Sequence, residues 1–321
     1  MTARARYSRG FSLTELLVAM VIGLLLLAGL VTLMVNSKKN YATQDYSARL
    51  QENARFAMRF LSYDIRMAGY YGCSNDIIND TNTKAITATD SSSGNPDSIT
   101  ITYGEPYNPG TEITLDPGAY DPYGTPDTLY LSTAIPQEWT DSDTLVIGDC
   151  GSASVAGIAK GGIHATTNSI VLDLSHTTSG SLGRIYDPNA KAGGAITIRR
   201  LVSNDYTIAT GQSHIPTLKR NGQELVEGVE NIQLLYQGLT GGAFVAGSSL
   251  PANVAAVQLA ALVRSVSNEN LTDRQYGSGA KITEDKGQYT LLGQNVSSDT
   301  PTIRGQRHVF NSMLMVRNRP L

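Results

Sequence analysis

The sequence predicts an α+β protein. A long N-terminal helix, half membrane-spanning and half amphipathic, packs on a mainly antiparallel β-sheet domain with long loops. Three observations predict it. The run from Phe11 to Val35 holds a single charged residue, Glu15, among Leu, Val, Ile, Ala, Met and Gly. Apolar residues then recur at spacings of three and four up to Ala68. Beyond Cys73, short β-like runs alternate with Gly-, Asn- and Pro-rich turns to the end of the chain.

The first ten residues form a leader with Arg4, Arg6 and Arg9 and no acid, while Lys38-Lys39 closes the apolar run. The excess of cations at the N-terminal flank favours a cytoplasmic N-terminus, with the C-terminal bulk passed across the membrane. About 20 apolar residues span a bilayer core as a helix, and this run has a few to spare, which allows tilt. A secretory signal peptide would have a core of about 7–15 residues closed by a small-residue cleavage site. The core here is longer, and nothing like Ala-x-Ala ends it before Asn36. A plain membrane anchor accounts for length and orientation but leaves Glu15 unexplained, since a carboxylate in hydrocarbon costs roughly 2.5–3.5 kcal/mol on insertion scales.

Gly10-Phe11-Ser12-Leu13-Thr14-Glu15 resembles the type IV prepilin processing motif: Gly, then Phe, then a hydrophobic run with Glu at its fifth position. The resemblance implies that a membrane aspartyl peptidase cuts between Gly10 and Phe11 on the cytoplasmic side and methylates the new Phe11 amine. It also implies that the apolar helix is kept and that Glu15 neutralises the amine of a neighbouring subunit in a filament. A paired carboxylate in a low dielectric is far less costly than an unpaired one. The plain alternative is a Glu15 at headgroup depth with no role. On this reading residues 1–10 are a removed leader, 11–35 the transmembrane and filament-core helix, and 36–70 its amphipathic continuation. Residues 71–321 are then a periplasmic or extracellular β-rich domain.

The continuation shows one apolar stripe, Leu50, Ala54, Ala57, Leu61, Ile65 and Ala68, extended at one side by Phe56, Phe60, Tyr63 and Met67. Gln51, Arg55, Arg59, Ser62 and Arg66 form the opposite, polar face, so the stripe is expected to pack on a sheet. No proline occurs before Pro96, so nothing forces a break. A helix continuous from Phe11 to Ala68 would be about 87 Å long at 1.5 Å per residue. Gly69 and Gly72 are its expected terminators.

Residues 75–97, rich in Asn, Asp, Thr and Ser, read as loop. Strands are expected at Ser98–Tyr103, Thr128–Ser132, Thr144–Ile147, Ser169–Leu174 and Ala195–Val202. Between Tyr103 and Thr128, Pro106, Pro109, Pro117, Pro122 and Pro126 predict a long exposed loop. Leu218 to Leu225 reads as a hairpin with Asn221-Gly222 at its turn. Further strands are expected at Val229–Tyr236, Ala255–Val266 and Val309–Val316. The second of these, with Val257, Leu259, Ala261 and Val263 on one face, is apolar on its other face too, through Ala260 and Leu262, which suggests a central strand. Residues 268–301 read as a second long polar loop.

The two cysteines, Cys73 and Cys150, allow one intramolecular pairing, which a periplasmic domain permits. A bond closing that loop would stabilise by about 4–5 kcal/mol in the chain-entropy model. The alternative is two buried thiols that never meet. The formal net charge is −3 and charged residues make up only 17 % of the chain, so no overall basic field points to nucleic acid.

Arg49-Leu50-Gln51-Glu52-Asn53-Ala54-Arg55-Phe56-Ala57, with Asp64-Ile65-Arg66-Met67-Ala68-Gly69-Tyr70, resembles the helix end of the PilW family of minor type IV pilins. Gly228 to Tyr236 and the ending from Arg307-His308-Val309-Phe310 through Val316-Arg317-Asn318-Arg319 are similar to it as well; residues 75–200 carry no such resemblance. The resemblance implies an architecture similar to a large type II secretion pseudopilin. It implies a subunit of the pilus that primes assembly in the inner membrane and sits at or near the tip, acting by packing and not by chemical turnover. The implied partners are other minor pilins, the major pilin, a tip adhesin and, as a processing enzyme, the prepilin peptidase. The alternatives are a type II secretion pseudopilin of the large tip-complex class, or a membrane-tethered periplasmic enzyme or adhesin.

No catalytic or cofactor motif is expected. His164, His176, His214 and His308 lack close metal-ligand spacing. Asp116, Asp121 and Asp127 near Gly118 and Gly124 do not fit an EF-hand loop and read as turn aspartates. Lys160-Gly161-Gly162 and Gly193-Gly194 lack the phosphate-loop spacing, and no Gly-x-Ser-x-Gly elbow is present.

Overall fold

The computed structural model describes residues 12–72, 83–91, 94–105, 112–116, 128–148, 153–173, 196–265, 288–297 and 307–317. One helix, α1 (Leu13–Met67), is followed by sixteen described strands, every described pairing between them antiparallel. The chain divides into two compact units, residues 1–49 and 50–321. In the first, the described residues are the N-terminal turns of α1, and they are almost entirely exposed. In the second, the last turns of α1 share a core with two sheets, and a hairpin packs on the other face of one of them.

The larger sheet is built from β1 (Ile86–Thr89), β2 (Ser98–Glu105), β3 (Ile113–Thr114), β4 (Thr128–Tyr130), β5 (Thr144–Gly148), β6 (Ala153–His164), β7 (Ser169–Asp173), β8 (Thr197–Thr210), β9 (Pro216–Arg220) and β10 (Gln223–Glu227). Its main path runs β1-β2-β8-β5-β6-β7-β4, and β8 also pairs β3 and β9. At 14 residues, β8 is long enough to hold β2 along one edge and β5 then β9 along the other. The second sheet contains β11 (Val229–Gly238), β12 (Val245–Ala246), β13 (Val254–Arg264) and β16 (Arg307–Met315), in the order β12-β11-β13-β16. A separate hairpin joins β14 (Gln288–Leu291) to β15 (Gln294–Ser297).

The apolar stripe of α1 organises the main core. Leu50, Ala54, Ala57, Leu61, Ile65 and Ala68 are all fully buried, in one cluster with Ile99 and Ile101 of β2, Tyr206 of β8, Ile232 and Tyr236 of β11, and Val257 and Leu259 of β13. Both sheets therefore pack on this part of the helix, and its alanines let strand backbones come close. Burying a Leu or Ile here is worth about 1.5–3 kcal/mol. The expected lateral extension of the stripe is split: Phe60 and Met67 pack against the core, whereas Phe56 and Tyr63 are exposed.

A second core lies on the larger sheet, where Leu129, Leu145, Ile147, Ile158, Ile170 and Ile198 surround Trp139. The reading of a doubly apolar central strand holds for β13. Val257, Leu259, Ala261 and Val263 face the main core, while Ala260 and Leu262 pack under Leu291 and Val296 of the β14–β15 hairpin. The Asn221-Gly222 turn also appears where expected, with φ of 52° and 77°, the left-handed pair that a two-residue turn between β9 and β10 requires.

Three segments differ from the sequence reading. Residues 75–97, read as loop, contain β1, which adds to the edge of β2. The Pro-rich stretch contains β3, two residues paired to β8. The polar stretch 268–301 contains the β14–β15 hairpin, whose apolar side covers Ala260 and Leu262. The largest omission is β6, whose composition of Ala, Gly and Ser gives little strand signal.

Candidate functional site

The site most clearly marked by the sequence is the start of α1. Ser12 precedes the helix and its carbonyl accepts from the amides of Glu15 and Leu16, at 3.0 and 3.2 Å, while its hydroxyl hydrogen-bonds Thr14 Oγ1 at 2.8 Å. This arrangement starts the helix at Leu13 and places Glu15 in its first turn. A carboxylate there faces the positive end of the helix dipole. Gly10 and Phe11 lie outside the described residues.

From Leu13 to Asn40 every residue of α1 is exposed, and the most apolar 18-residue window has a mean hydropathy of 2.9 with none of it buried. In water such a surface is untenable, because a contiguous apolar patch of this size marks membrane or protein contact. Glu15 is the only acid between Leu13 and Gln44. The residues thus supply a long apolar rod with one anionic side chain near its N-terminal end.

At its other end α1 is fixed by a polar anchor that the sequence reading did not identify. Asp64 is 1 % exposed, inside the apolar stripe. Its carboxylate accepts from Tyr206 Oη at 2.6 Å, Tyr103 Oη at 3.1 Å and Asn204 Nδ2 at 2.9 Å. Burial is the main cause of raised pKa values for both phenols; the neighbouring Asp64 carboxylate raises both further. Both therefore remain protonated donors at neutral pH. The one sequence signal was an acid at a core spacing, three residues after Leu61.

The chain leaving the helix is tied to the same strands. Gly69 takes φ of 69°, its amide donates to Thr102 O at 3.0 Å, and Gly104 N donates to Tyr70 O. Gly69 and Gly72 both occupy the left-handed region, as expected of residues that end a helix. Cys73 and Cys150 lie outside the described residues.

Other side chains singled out by the sequence are dispersed. His164 ends β6, His214 sits in the turn before β9 and His308 is exposed on β16; His176, Asp121 and Asp127 lie outside the described residues. Among the described residues no group of three or more His, Cys, Asp or Glu side chains is placed to hold a metal ion. A polar cleft of about 330 Å³ between β2 and β8 is lined by Glu105, Asp143, Arg200, Asn204 and Arg220, with Arg200 bound to Glu105 across it.

Residues 5–31 match the prokaryotic N-terminal methylation motif, and residues 190–318 match the family described as Type IV Pilus-assembly protein W. The first match covers the start of α1 and the second runs from β8 through β16. No curated protein and no solved structure matches the chain.

Proposed function

From the premise that this is a PilW-like type IV pilin with a prepilin motif, we propose that it helps prime pilus assembly and sits at or near the tip. It is a minor pilin, built to act by packing. Its partners in this reading are other minor pilins, the major pilin and a tip adhesin, and the prepilin peptidase is its processing enzyme.

The observation that carries this reading is the bare apolar helix with Glu15 in its first turn, inside the stretch that matches the methylation motif. The N-terminus starts in the cytoplasm and the β-rich domain in the periplasm. Cleavage between Gly10 and Phe11 frees an amine, which is methylated. In the bilayer, Glu15 is the one costly group on the rod. When rods stack side by side, the Phe11 amine of a neighbour compensates that charge and apolar side chains meet apolar side chains. Loss of the Glu15 carboxylate should therefore impair extraction into the filament and leave membrane insertion intact.

The test has two parts. Mass spectrometry of the mature protein should find N-methylated Phe11 as the first residue. Glu15→Leu should leave the protein in the membrane fraction but lower its amount in sheared pili several-fold. An intact Met1, or full incorporation of Glu15→Leu, would show a simple tether instead.

A further inference from the structure

We propose that the exposed face of α1 between Arg55 and Arg66 is a docking surface for an acidic face of a neighbouring pilin in the same filament. The proposal rests on the pilin reading and adds the chemistry of the contact. At 3.6 residues per turn, Arg55, Arg66 and Arg59 fall within an arc of about 40°. All three are exposed, and among the described residues none of them has an ion-pair partner. Phe56 and Tyr63 border the arc and stay 37 % and 58 % exposed, although the main core lies on the other side of the same turns. Arg55 lies over the Phe56 ring at 5.6 Å. In this part of the helix Glu52 is the only exposed acid, so the face carries a local excess of positive charge on a chain whose formal net charge is −3.

Arginine and aromatic residues are the side chains most enriched at the centres of protein interfaces. Arginine's planar fork also binds carboxylates in pairs of hydrogen bonds. The same helix carries the apolar segment that the pilin reading packs against sister helices. A sister subunit drawn in by that segment is the partner this reading supplies, and carboxylates on its surface would complement the arginines. Nucleic acid fits less well. Three cations over about 16 Å of helix, at 1.5 Å per residue, neutralise few phosphates, and no wider basic field supports them.

The test uses the full chain in piliated cells. Arg55→Gln/Arg59→Gln/Arg66→Gln keeps helix propensity and removes the charge; it should lower recovery in sheared pili at least five-fold, with cleavage and membrane insertion unchanged. Arg55→Lys/Arg59→Lys/Arg66→Lys should retain at least half of the wild-type recovery. A photo-crosslinker in place of Arg59 should capture a peptide of another pilin that is rich in Asp or Glu. Wild-type recovery of the Gln variant, crosslinks confined to lipid or to segments without acids, or a duplex DNA shift by the wild type that the Gln variant loses would each overturn the proposal. Should the wild type itself be absent from sheared pili, or keep its leader, the pilin reading falls instead.

Discussion

Tyr206 donates its phenolic hydrogen to Asp64 at 2.6 Å across 142 residues of sequence, joining the last turns of α1 to the longest strand of the larger sheet. Asp64→Ala would leave two buried phenols without their acceptor, and the Asn204 amide with the Tyr103 hydroxyl at 3.3 Å. Each orphaned buried donor costs about 1–3 kcal/mol. Tyr206→Phe removes one donor and leaves the carboxylate two others, so it should cost about 1–2 kcal/mol. Denaturant unfolding of the purified protein should thus rank Asp64→Ala well below Tyr206→Phe. A double-mutant cycle should show strong coupling; additive effects would mean that the bond contributes little.

The cysteines can be approached through their described neighbours. Gly148 pairs in register with Thr197, whose hydroxyl donates to Gly148 O at 3.3 Å. A Cβ on Gly72 would lie 3.1 Å from that same hydroxyl oxygen. Tyr71, Val146 and Ala153 share one buried cluster. Cys73 follows Gly72 directly and Cys150 is two residues past Gly148, at about 3.8 Å between successive Cα atoms. A disulfide needs Cα atoms about 4.4–6.8 Å apart. Non-reducing peptide mapping of protein from an oxidising compartment should find Cys73 linked to Cys150, and reduction should destabilise by up to about 4–5 kcal/mol. Two free thiols in the mature protein would refute the pairing.

Asp97 introduces a pH dependence of unusual sign. Burial pushes its carboxyl up to about 6, against the amides of Ser91 and Leu234 that stabilise the anion; Asp90 adds a smaller upward push. The folded-state value lies above the unfolded value of about 3.9, so the folded state holds the proton more tightly. Its stabilising contribution is complete below the unfolded value and is lost as pH rises through about 6. The size is about 2–3 kcal/mol. Between pH 5 and 7.5 the wild type should lose stability that Asp97→Asn does not lose. If both proteins show the same pH profile, Asp97 is not the group responsible.

What was legible in the sequence had a local cause. The order Gly10, Phe11, Glu15 and the unbroken apolar run mark the methylation motif within a few dozen residues. The spacing from Leu50 to Ala68 gives the buried face of α1, and Asn221-Gly222 gives its hairpin, because each depends on near neighbours. β6 was not legible. Its Ala and Gly residues have little strand preference of their own, and they are held extended by β5 on one side and β7 on the other. The break in its pairing with β7 coincides with Gly161 at φ 72°. Nor was the role of Asp64 legible beyond its odd position in an apolar stripe, since its partners lie 39, 140 and 142 residues away. Residues that meet only through the fold leave no periodic trace.

A buried ion cluster shows this most sharply and yields a prediction of opposite signs for neighbouring residues. Glu230 at the start of β11 grips Arg307 of β16 with both carboxylate oxygens, at 2.7 and 3.0 Å. Arg264, at the end of β13, lies 3.6 Å from one of those oxygens, is 1 % exposed, and among the described residues has no hydrogen-bond partner for Nε, Nη1 or Nη2. Burial is the main reason its pKa is lowered, and Arg307 lowers it further against the pull of Glu230. Glu230→Gln would take the shared carboxylate from two buried guanidinium groups and should cost about 3–5 kcal/mol. Arg307→Met should cost less, because Arg264 is close enough to take up the freed carboxylate. Arg264→Met removes a buried cation held only by a 3.6 Å ion pair and supplies apolar volume, leaving Glu230 bound to Arg307, so it should be neutral or stabilising by about 1 kcal/mol or more. Unfolding midpoints of the three variants test the ranking. If Arg264→Met were the most damaging, Arg264 would be the primary partner of Glu230, and the division of labour drawn from the distances would be wrong.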